Sequence, residues 1–264
     1  MERLALISDI HANIAALDAV LSDINSLGCS NIVCCGDLVG YGPRPNEVIE
    51  RIHELSIPSV MGNYDEAVGF LLLACGCNID SPKQKMLSNN SLKWTIANTN
   101  ESNRKLLREL PERLDMFFGA KSAIIVHSSL DSMTEYIYET ASERICEILD
   151  SIEQDIYIFG HTHFPFIKTI GNKVIINAGS VGRPKNCDNR ASYILLEIDN
   201  YEILGSIRKV SYDVEKVAKE IEHSGLDSYF AEYIRNGGDK DEVFRIKDNY
   251  SCDIDINPNT RKGI

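Results

Sequence analysis

The fold class follows from the stretch Arg3-Leu4-Ala5-Leu6-Ile7-Ser8-Asp9-Ile10-His11-Ala12-Asn13. Its apolar first half has the length of a buried strand. The polar residues after it predict a turn, and Asn13 can cap a helix whose apolar residues recur at helical spacing: Ile14, Leu17, Val20, Leu21 and Ile24. The stretch therefore predicts a strand, a turn and a helix in succession.

The same unit recurs further along the chain. A second apolar run at 31–35 precedes Gly36-Asp37 and a helix that extends through Ile52, and a third run at 59–61 leads into Gly62-Asn63. Strand-like runs return at 122–126 and 155–159 with a helical segment between them. Alternation of strands and helices indicates an α/β fold with parallel pairing.

Later residues predict a second, more antiparallel sheet. The runs 167–170 and 174–177 flank Gly171-Asn172, a sequence typical of a hairpin, and two further runs cover 192–198 and 203–210. We predict a main domain over 1–210 with an amphipathic helical insertion at 81–110 that caps one side. C-terminal helices at 211–236 would pack on it, followed by a polar tail at 237–264 that we expect to be loosely ordered.

Composition and net charge limit the kinds of molecule that the protein is expected to bind. The 264 residues carry a formal net charge of −12 and are 44% hydrophobic, which fits one sizeable core. An acidic chain has no general attraction for a polyanion, so we expect no binding to genomic nucleic acid. The absence of an export signal and of a long apolar run predicts a cytoplasmic protein that does not bind membranes.

The eight cysteines are expected to be mostly free thiols. Cys34, Cys35 and Cys146 lie in apolar runs, where a reduced thiol packs as a small hydrophobic group. Cys75-Gly76-Cys77 could chelate a soft metal ion, but no second Cys or His pair lies at a suitable spacing, so we interpret it as a loop.

Side chains that can bind metal ions follow the apolar runs repeatedly. They are Asp9, His11, Asp37, Asn63, His127, His161 and His163. A single Asp or His after a strand is more often a turn residue, but here five strand ends each offer such a residue. Because ligands bind beyond the carboxyl ends of strands in open α/β sheets, this recurrence predicts a metal site.

The ligand types predict which metals bind there and what chemistry follows. Carboxylate, imidazole and amide groups without thiolates suit Mn²⁺ first, with Fe, Zn²⁺ or Ni²⁺ as alternatives. Two divalent ions that share a carboxylate would lie about 3.5 to 4 Å apart and clamp a phosphoryl group. Water bound between them would be a hydroxide nucleophile near neutral pH.

Five sequence blocks carry a family resemblance. They are Ser8-Asp9-Ile10-His11-Ala12-Asn13, Gly36-Asp37, Gly62-Asn63, Val126-His127 and Gly160-His161-Thr162-His163. In order and approximate spacing they resemble the motifs of the calcineurin-like metallophosphoesterases. Gly40-Tyr41-Gly42-Pro43 and the segment 177–182 are similar to the small prokaryotic branch that contains the YfcE-type phosphodiesterases.

The resemblance implies an α/β fold in which helices flank a two-sheet mixed β-sandwich. It also implies that Asp9, His11 and His163 bind one divalent ion, that Asp37 bridges, and that the other ion is bound by Asn63, His127 and His161. The implied activity is hydrolysis of a small phosphate ester or nucleotide, with phosphodiester chemistry favoured over phosphomonoester chemistry. The implied nucleophile is the metal-bound hydroxide.

The third block departs from the family pattern. The family usually has Gly-Asn-His followed by an acidic residue, whereas this chain has Gly62-Asn63-Tyr64-Asp65. Asn63, Tyr64 and Asp65 remain the catalytic candidates, but a phenol cannot supply the positive charge of an imidazolium ion. We therefore expect a preference for good leaving groups or slower turnover. Ala12 where Gly is common is a minor departure.

Further side chains are weaker candidates for substrate binding. Arg183 and Arg190 follow the segment 177–182, and Arg44 lies beside the loop of Asp37. Planar guanidinium groups can bind phosphate in a bidentate manner, although loop arginines are often only solvated. Tyr136 is a further candidate, and Tyr41, Tyr136 and Phe70 could form an apolar wall for a nucleotide.

A different class of function stays open. A catalytically silent protein of the same fold can act as a protein-interaction scaffold, and Tyr64 is the feature that supports this alternative. Such a scaffold has no need to retain four histidines at the ligand positions, which favours the enzyme.

Overall fold

Two mixed sheets form the centre of the protein in this computed structural model, which describes residues 2–77, 81–199 and 202–239 and the backbone of 262–263. The strands are β1 (Glu2–Ile7), β2 (Asn31–Cys34), β3 (Arg113–Phe118), β4 (Lys121–Val126), β5 (Ile156–Phe159), β6 (Phe166–Ile170), β7 (Lys173–Asn177), β8 (Ala191–Ile198), β9 (Ile203–Val210) and β10 (Lys262–Gly263). One sheet has the order β10-β9-β8-β1-β2 and the other the order β3-β4-β5-β7-β6.

Helices cover the outer faces of the sheets. They are α1 (Ile14–Ser26), α2 (Pro45–Glu54), α3 (Asn63–Gly69), α4 (Pro82–Asn98), α5 (Glu101–Arg108), α6 (Ser142–Ser151), α7 (Val214–Ser224) and α8 (Tyr229–Asn236). The Asn13 side chain accepts a hydrogen bond from Ala16 N at 3.1 Å and thereby caps α1. No helix of the described residues is both long enough and apolar enough to cross a membrane.

Strand β1 shows how alternating side chains separate the layers. Leu4 and Leu6 point into the core between the two sheets, while Ala5 and Ile7 face the core beneath the helices. All four are fully buried, which explains why the sequence lacks the alternation of a half-exposed strand. The α/β sandwich with two mixed sheets and flanking helices confirms the predicted fold class.

Pairing places several strand ends side by side. Strand β1 pairs in parallel with β2 and antiparallel with β8, while β4 and β5 pair in parallel in the other sheet. Parallel neighbours end at the same edge of a sheet. The loops after β1, β2, β4 and β5 are therefore brought together at one edge of the sandwich.

Three elements, and the grouping of the later strands, differ from the sequence prediction. The four later runs do not form one second sheet: β6 and β7 join β4 and β5, whereas β8 and β9 join β1 and β2, because pairing between strands far apart in the chain decides which sheet a strand enters. Strand β3 was not predicted, because its side chains at 113–117 are exposed or half-buried and give no apolar run. Helix α3 was also missed, since its seven residues are too few for a periodic signal. The run predicted at 59–61 contributes a single bridge from Ser59 to Cys34 rather than a strand.

The remaining predicted segments have mixed outcomes. The insertion at 81–110 contains α4 and α5, separated at Thr99 and Asn100. Helices α7 and α8 lie where helices were predicted, and Phe230 of α8 packs in one cluster with Leu87 of α4. Most of the predicted tail at 237–264 lies outside the described residues.

Candidate metal centre

The predicted ligands meet at the shared edge of the sandwich. Asp9 and His11 follow β1, Asp37 follows β2, His127 follows β4, and the pair at 161 and 163 follows β5. Asn63 opens α3. All of these side chains are at least nine-tenths buried, so seven chelating groups from two sheets converge away from bulk water.

One group of ligands is formed by Asp9, His11 and His163. Asp9 Oδ1 lies 3.2 Å from His163 Nε2 and 3.7 Å from His11 Nε2. The two imidazole Nε2 atoms lie 3.2 Å apart. Their three ligand atoms thus surround one point, as a shared cation would require.

A second group lies beside the first and contains Asp9, Asp37 and His127. Asp37 Oδ2 lies 3.6 Å from His127 Nε2 and 3.8 Å from His11 Nε2, so this oxygen faces both groups. Asn63 Oδ1 lies 3.1 Å from His127 Nε2, and His161 Nδ1 lies 3.3 Å from the same nitrogen. The geometry thus offers two adjacent positions for cations.

The backbone at the ligands adopts a left-handed conformation. Asp9, His11, Asp37, His161 and His163 have φ between 48° and 67°. Residues other than glycine adopt this conformation rarely and at a cost in free energy, and such strain concentrates at functional sites. Here it turns consecutive loop residues so that side chains on one loop converge instead of alternating.

Backbone carbonyl groups orient three of the imidazoles. The Nδ1 atoms of His11, His127 and His163 lie 3.0, 2.7 and 2.5 Å from the carbonyl oxygens of Val39, Cys35 and Arg183, respectively. A proton on Nδ1 donates to each carbonyl and leaves Nε2 as a lone-pair ligand that faces the centre.

The carboxylates are held by neighbouring groups. Asp37 Oδ1 accepts a hydrogen bond from Tyr64 N at 2.8 Å, and Asp9 Oδ2 accepts from Ser8 Oγ at 2.6 Å and from His161 N at 3.0 Å. Asp65 does not face the ligands. It accepts from the backbone N–H groups of Leu38 and Gly62 and so ties together the loops that carry Asp37 and Asn63.

Burial also sets the charge of the ligands. It lowers the pKa of His11, His161 and His163 well below the usual value for imidazole, and the pKa of His127 is lowered for the same reason. Neutral imidazole is the form that binds a metal ion. Burial, together with the charges of Asp65 and Asp9, raises the pKa of Asp37. A nearby cation would favour the charged form of this carboxylate.

Two atoms test whether the residues fit metal ions. Within the described part of the chain, Asp9 Oδ1 and His161 Nε2 are buried without a hydrogen-bond partner. Buried polar atoms are nearly always paired, because losing hydration without compensation is costly. Both atoms belong to the ligand cluster, and coordination of divalent ions would satisfy both.

A known protein family matches most of the chain. The sequence model described as the calcineurin-like phosphoesterase superfamily domain matches residues 2–201. The chain belongs to this superfamily. An uncharacterised protein of Methanocaldococcus jannaschii is 31% identical over 87% of this chain and 96% of its own length. The phosphodiesterase YfcE of Escherichia coli is 26% identical over 77% of this chain and 92% of its own.

Solved structures agree with this assignment. A metallophosphoesterase from Sphaerobacter thermophilus is 28% identical, with a TM-score of 0.72 over 89% of this chain and 99% of its own. A hypothetical protein from Pyrococcus horikoshii shares the fold, with 22% identity and a TM-score of 0.79 over 90% of this chain and 99% of its own. The resemblance to the superfamily and to its YfcE-type members is confirmed, and the chain is a phosphoesterase by family.

Tyr64, which departs from the superfamily pattern, directs its hydroxyl group away from the ligands. The phenol oxygen lies 2.7 Å from Ser88 Oγ of α4. The ring packs 5.8 Å from the ring of His11 and 4.7 Å from that of Tyr41, measured between centroids. The phenol of Tyr64 therefore lies in the wall of the centre, and the backbone N–H of the same residue donates a hydrogen bond to Asp37.

The predicted substrate residues occupy different surroundings. Arg44 is paired with Glu47 and Glu220 beside α7, in a groove separate from the ligands. Arg190 forms a bidentate pair with Asp188.

Other predicted side chains lie at the centre itself. The Tyr136 ring lies 4.5 Å from that of His161, and Arg183 lines the same cavity as Tyr136. Phe70 is half-exposed and does not line that cavity.

Sequence reasoning missed one residue near the ligands. Lys185 is only 7% exposed and lines the cavity that contains Arg183 and Tyr136. Apart from its position two residues beyond Arg183, nothing in the sequence distinguishes it from a solvated lysine, since its burial depends on the packing of the loop after β7.

Proposed function

We propose that this protein is a metal-dependent phosphodiesterase that hydrolyses a small phosphate ester or nucleotide at a two-metal centre. The ligands would be Asp9, His11 and His163 for one ion and Asn63, His127 and His161 for the other, with Asp37 between them. The observation that carries the proposal is the pair of adjacent ligand groups that share Asp9 and contain unsatisfied buried ligand atoms. Family membership supports phosphoester chemistry.

Divalent ions bound here, Mn²⁺ first and Fe, Zn²⁺ or Ni²⁺ as alternatives, would activate water and neutralise charge that develops on the phosphoryl oxygens. The protein's own contribution is positional. Backbone carbonyls hold the imidazoles, and Tyr64 N holds Asp37, so the ligands need little rearrangement. Because the ligand side chains are buried, electrostatic interactions among them are stronger than in bulk water. We also propose a cytoplasmic location, on the sequence argument alone.

Hydrolysis of two chromogenic esters tests the proposal. Turnover of bis-p-nitrophenyl phosphate and of p-nitrophenyl phosphate is measured in the presence of Mn²⁺, Ni²⁺, Zn²⁺ or Mg²⁺. The wild type is compared with Asp37→Ala and His161→Ala. We expect metal-dependent turnover, faster on the diester, that falls at least about 10³-fold in both variants because the centre loses a ligand. His53→Ala is the matched control, since His53 is exposed on α2 and should retain full activity.

Metal content separates the enzyme from the scaffold alternative, which the position of Tyr64 keeps open. The enzyme should bind close to two ions per chain after equilibration with Mn²⁺, and Asp37→Ala fewer. A protein that binds no metal and is silent on both esters would favour the scaffold. Faster turnover of the monoester would change the class to phosphomonoesterase.

A further inference from the structure

Two cysteines lie beside the candidate metal centre. Cys75 and Cys77 are free thiols in the loop after α3, with Gly76 between them. Gly76 has a φ of +77°, which glycine adopts without strain, so the chain can turn sharply at this point. The side chains of the two cysteines form a hydrogen bond with each other. Their sulfur atoms are therefore already neighbours.

The two cysteines hold the side-chain amide of Asn63. Asn63 Nδ2 donates hydrogen bonds to the carbonyl oxygen of Cys75 at 3.0 Å and to Cys77 Sγ at 3.1 Å. Because both N–H groups of the amide are engaged there, its oxygen is turned the other way, and Oδ1 lies 3.1 Å from His127 Nε2. The cysteines thus orient the Asn63 oxygen that would bind a metal ion.

The two thiols differ in exposure. Cys77 is half-buried and lines the cavity that contains Tyr136, whereas Cys75 is 8% exposed and its Sγ lies 3.6 Å from Ser88 Oγ. The cavity has a volume of about 50 Å³. A single water needs about 10–15 Å³, so a molecule as small as hydrogen peroxide can reach Cys77. An accessible thiol next to a second thiol is the arrangement in which cysteines are oxidised reversibly.

We propose that Cys75 and Cys77 are a site of reversible oxidation, where a peroxide converts the two thiols into a disulfide that weakens metal binding through Asn63. The Cys77 sulfur attacks one peroxide oxygen, the O–O bond breaks, and the departing hydroxide takes up the thiol proton to form water. The Cys75 sulfur then attacks the sulfur of the resulting sulfenic acid. The S–O bond breaks, and the second hydroxide takes up the proton of Cys75. Two thiols are thereby oxidised to one disulfide, and one peroxide is reduced to two molecules of water.

The disulfide would change the support of Asn63. Sulfur atoms in a disulfide lie about 2.05 Å apart, well inside a hydrogen-bond distance, so forming the bond displaces Cys75 Sγ or Cys77 Sγ from its partner at Ser88 or Asn63. Loss of a group that orients a ligand typically lowers metal affinity about 10- to 100-fold. The oxidation itself is independent of the proposed function, whereas its effect on metal binding rests on that function.

Mass spectrometry after treatment of the Mn²⁺-loaded protein with hydrogen peroxide tests the site. The sequence between Arg51 and Lys83 contains Cys75 and Cys77 and no other cysteine, so one tryptic peptide reports on the pair. In the wild type this peptide should become lighter by two hydrogen atoms, and dithiothreitol should restore its mass. Cys75→Ser and Cys77→Ser should show no such loss. Cys146→Ser, which removes an exposed thiol on α6, is the control and should behave as the wild type does.

Metal affinity is the second readout, measured by Mn²⁺ titration after catalase has removed the peroxide. The dissociation constant for Mn²⁺ should rise at least about tenfold in the oxidised wild type and recover on reduction. Each serine variant is compared with its own untreated sample and should change little.

An unchanged peptide mass would overturn the proposal, and so would a disulfide that leaves the dissociation constant unaltered. A loss of affinity in Cys75→Ser as large as in the wild type would also overturn it, because peroxide would then act elsewhere. Absence of Mn²⁺ binding and of ester hydrolysis before treatment would overturn the proposed function and, with it, the effect on metal binding. The peptide mass would still decide whether the cysteine pair is oxidised.

Discussion

At the residue scale, the position of Tyr64 determines what the proposed active site can do for a leaving group. Its hydroxyl is paired with Ser88, and burial raises its pKa well above the usual value for a phenol. The group is therefore a neutral hydroxyl whose hydrogen bond is already made in the wall. A protonated imidazole, which the superfamily usually has at this position, would instead offer a proton and a positive charge.

This arrangement predicts a strong dependence on the leaving group. General acid catalysis contributes typically 10²- to 10⁴-fold, so we expect alkyl phosphodiesters to react at least about 10²-fold more slowly than p-nitrophenyl diesters. The measurement is kcat for a series of esters whose leaving groups rise in pKa. Equal rates on aryl and alkyl esters would show that another group donates the proton.

Tyr64→Phe serves as the companion variant. It should lower the free energy of unfolding by about 1 kcal/mol through loss of the bond to Ser88, while the ratio of aryl to alkyl rates stays within about twofold. A large change in that ratio would mean that the phenol takes part in catalysis.

At the element scale, the ligand loops depend on very close approach between strand ends. A Cβ atom on Gly160 would lie 2.0 Å from Ser8 Oγ and 2.6 Å from Asp9 Oδ2. The loop after β5 therefore presses directly against the loop after β1, and this contact brings His161 and His163 to Asp9. Glycine is required at this position by space rather than by its backbone angles.

Gly160→Ala should separate the two loops. Overpacking of this kind typically costs about 1–3 kcal/mol, and we expect the metal content to fall from close to two ions to below one because Asp9 is displaced. Metal analysis and chemical unfolding measure the two effects.

Gly171→Ala, in the hairpin between β6 and β7, is the control: nothing lies within 4 Å of its added Cβ. It has a φ of +61° and should lose about 1 kcal/mol but keep both ions. Equal metal loss in both variants would contradict the argument.

At the scale of the whole molecule, the candidate metal centre joins the two sheets. Asp9, His11 and Asp37 follow strands of one sheet, whereas His127, His161 and His163 follow strands of the other. Ions bound to both sets would cross-link the layers and offset the repulsion among buried carboxylates in a chain of net charge −12. The native state should therefore be stabilised by metal ions, which bind the unfolded chain weakly.

Removal of metal ions should lower the thermal unfolding midpoint. A ligand at about 1,000 times its dissociation constant stabilises by roughly 4 kcal/mol, which for a chain of this size corresponds to roughly 10 °C. Calorimetry before and after treatment with a chelator measures the shift, and added Mn²⁺ should reverse it. Asp37→Ala, which should bind fewer ions, should show a smaller response to both treatments. An unchanged midpoint in the wild type would indicate that the ions do not connect the sheets.

The sequence by itself determined the order of strands and helices near the start of the chain and the identity of the seven candidate ligands. Apolar runs and the residues that follow them are local features, and a buried strand such as β1 must be apolar on both faces. The same local signal failed for β3, whose mostly exposed side chains leave no apolar run, and for α3, which is too short. The same ordered blocks carry the resemblance to the superfamily, which the family model over residues 2–201 confirms.

Only the tertiary structure decided what surrounds those ligands. In the folded chain the Tyr64 hydroxyl pairs with Ser88, and Arg44 lies in a separate groove. Lys185 is buried in the same cavity wall as Arg183. These contacts join residues far apart in the chain, such as Arg183 with Tyr41 and Tyr233. The sequence specifies which groups are present, but burial and the approach of distant elements set their charge and direction, because both depend on packing that no local pattern encodes.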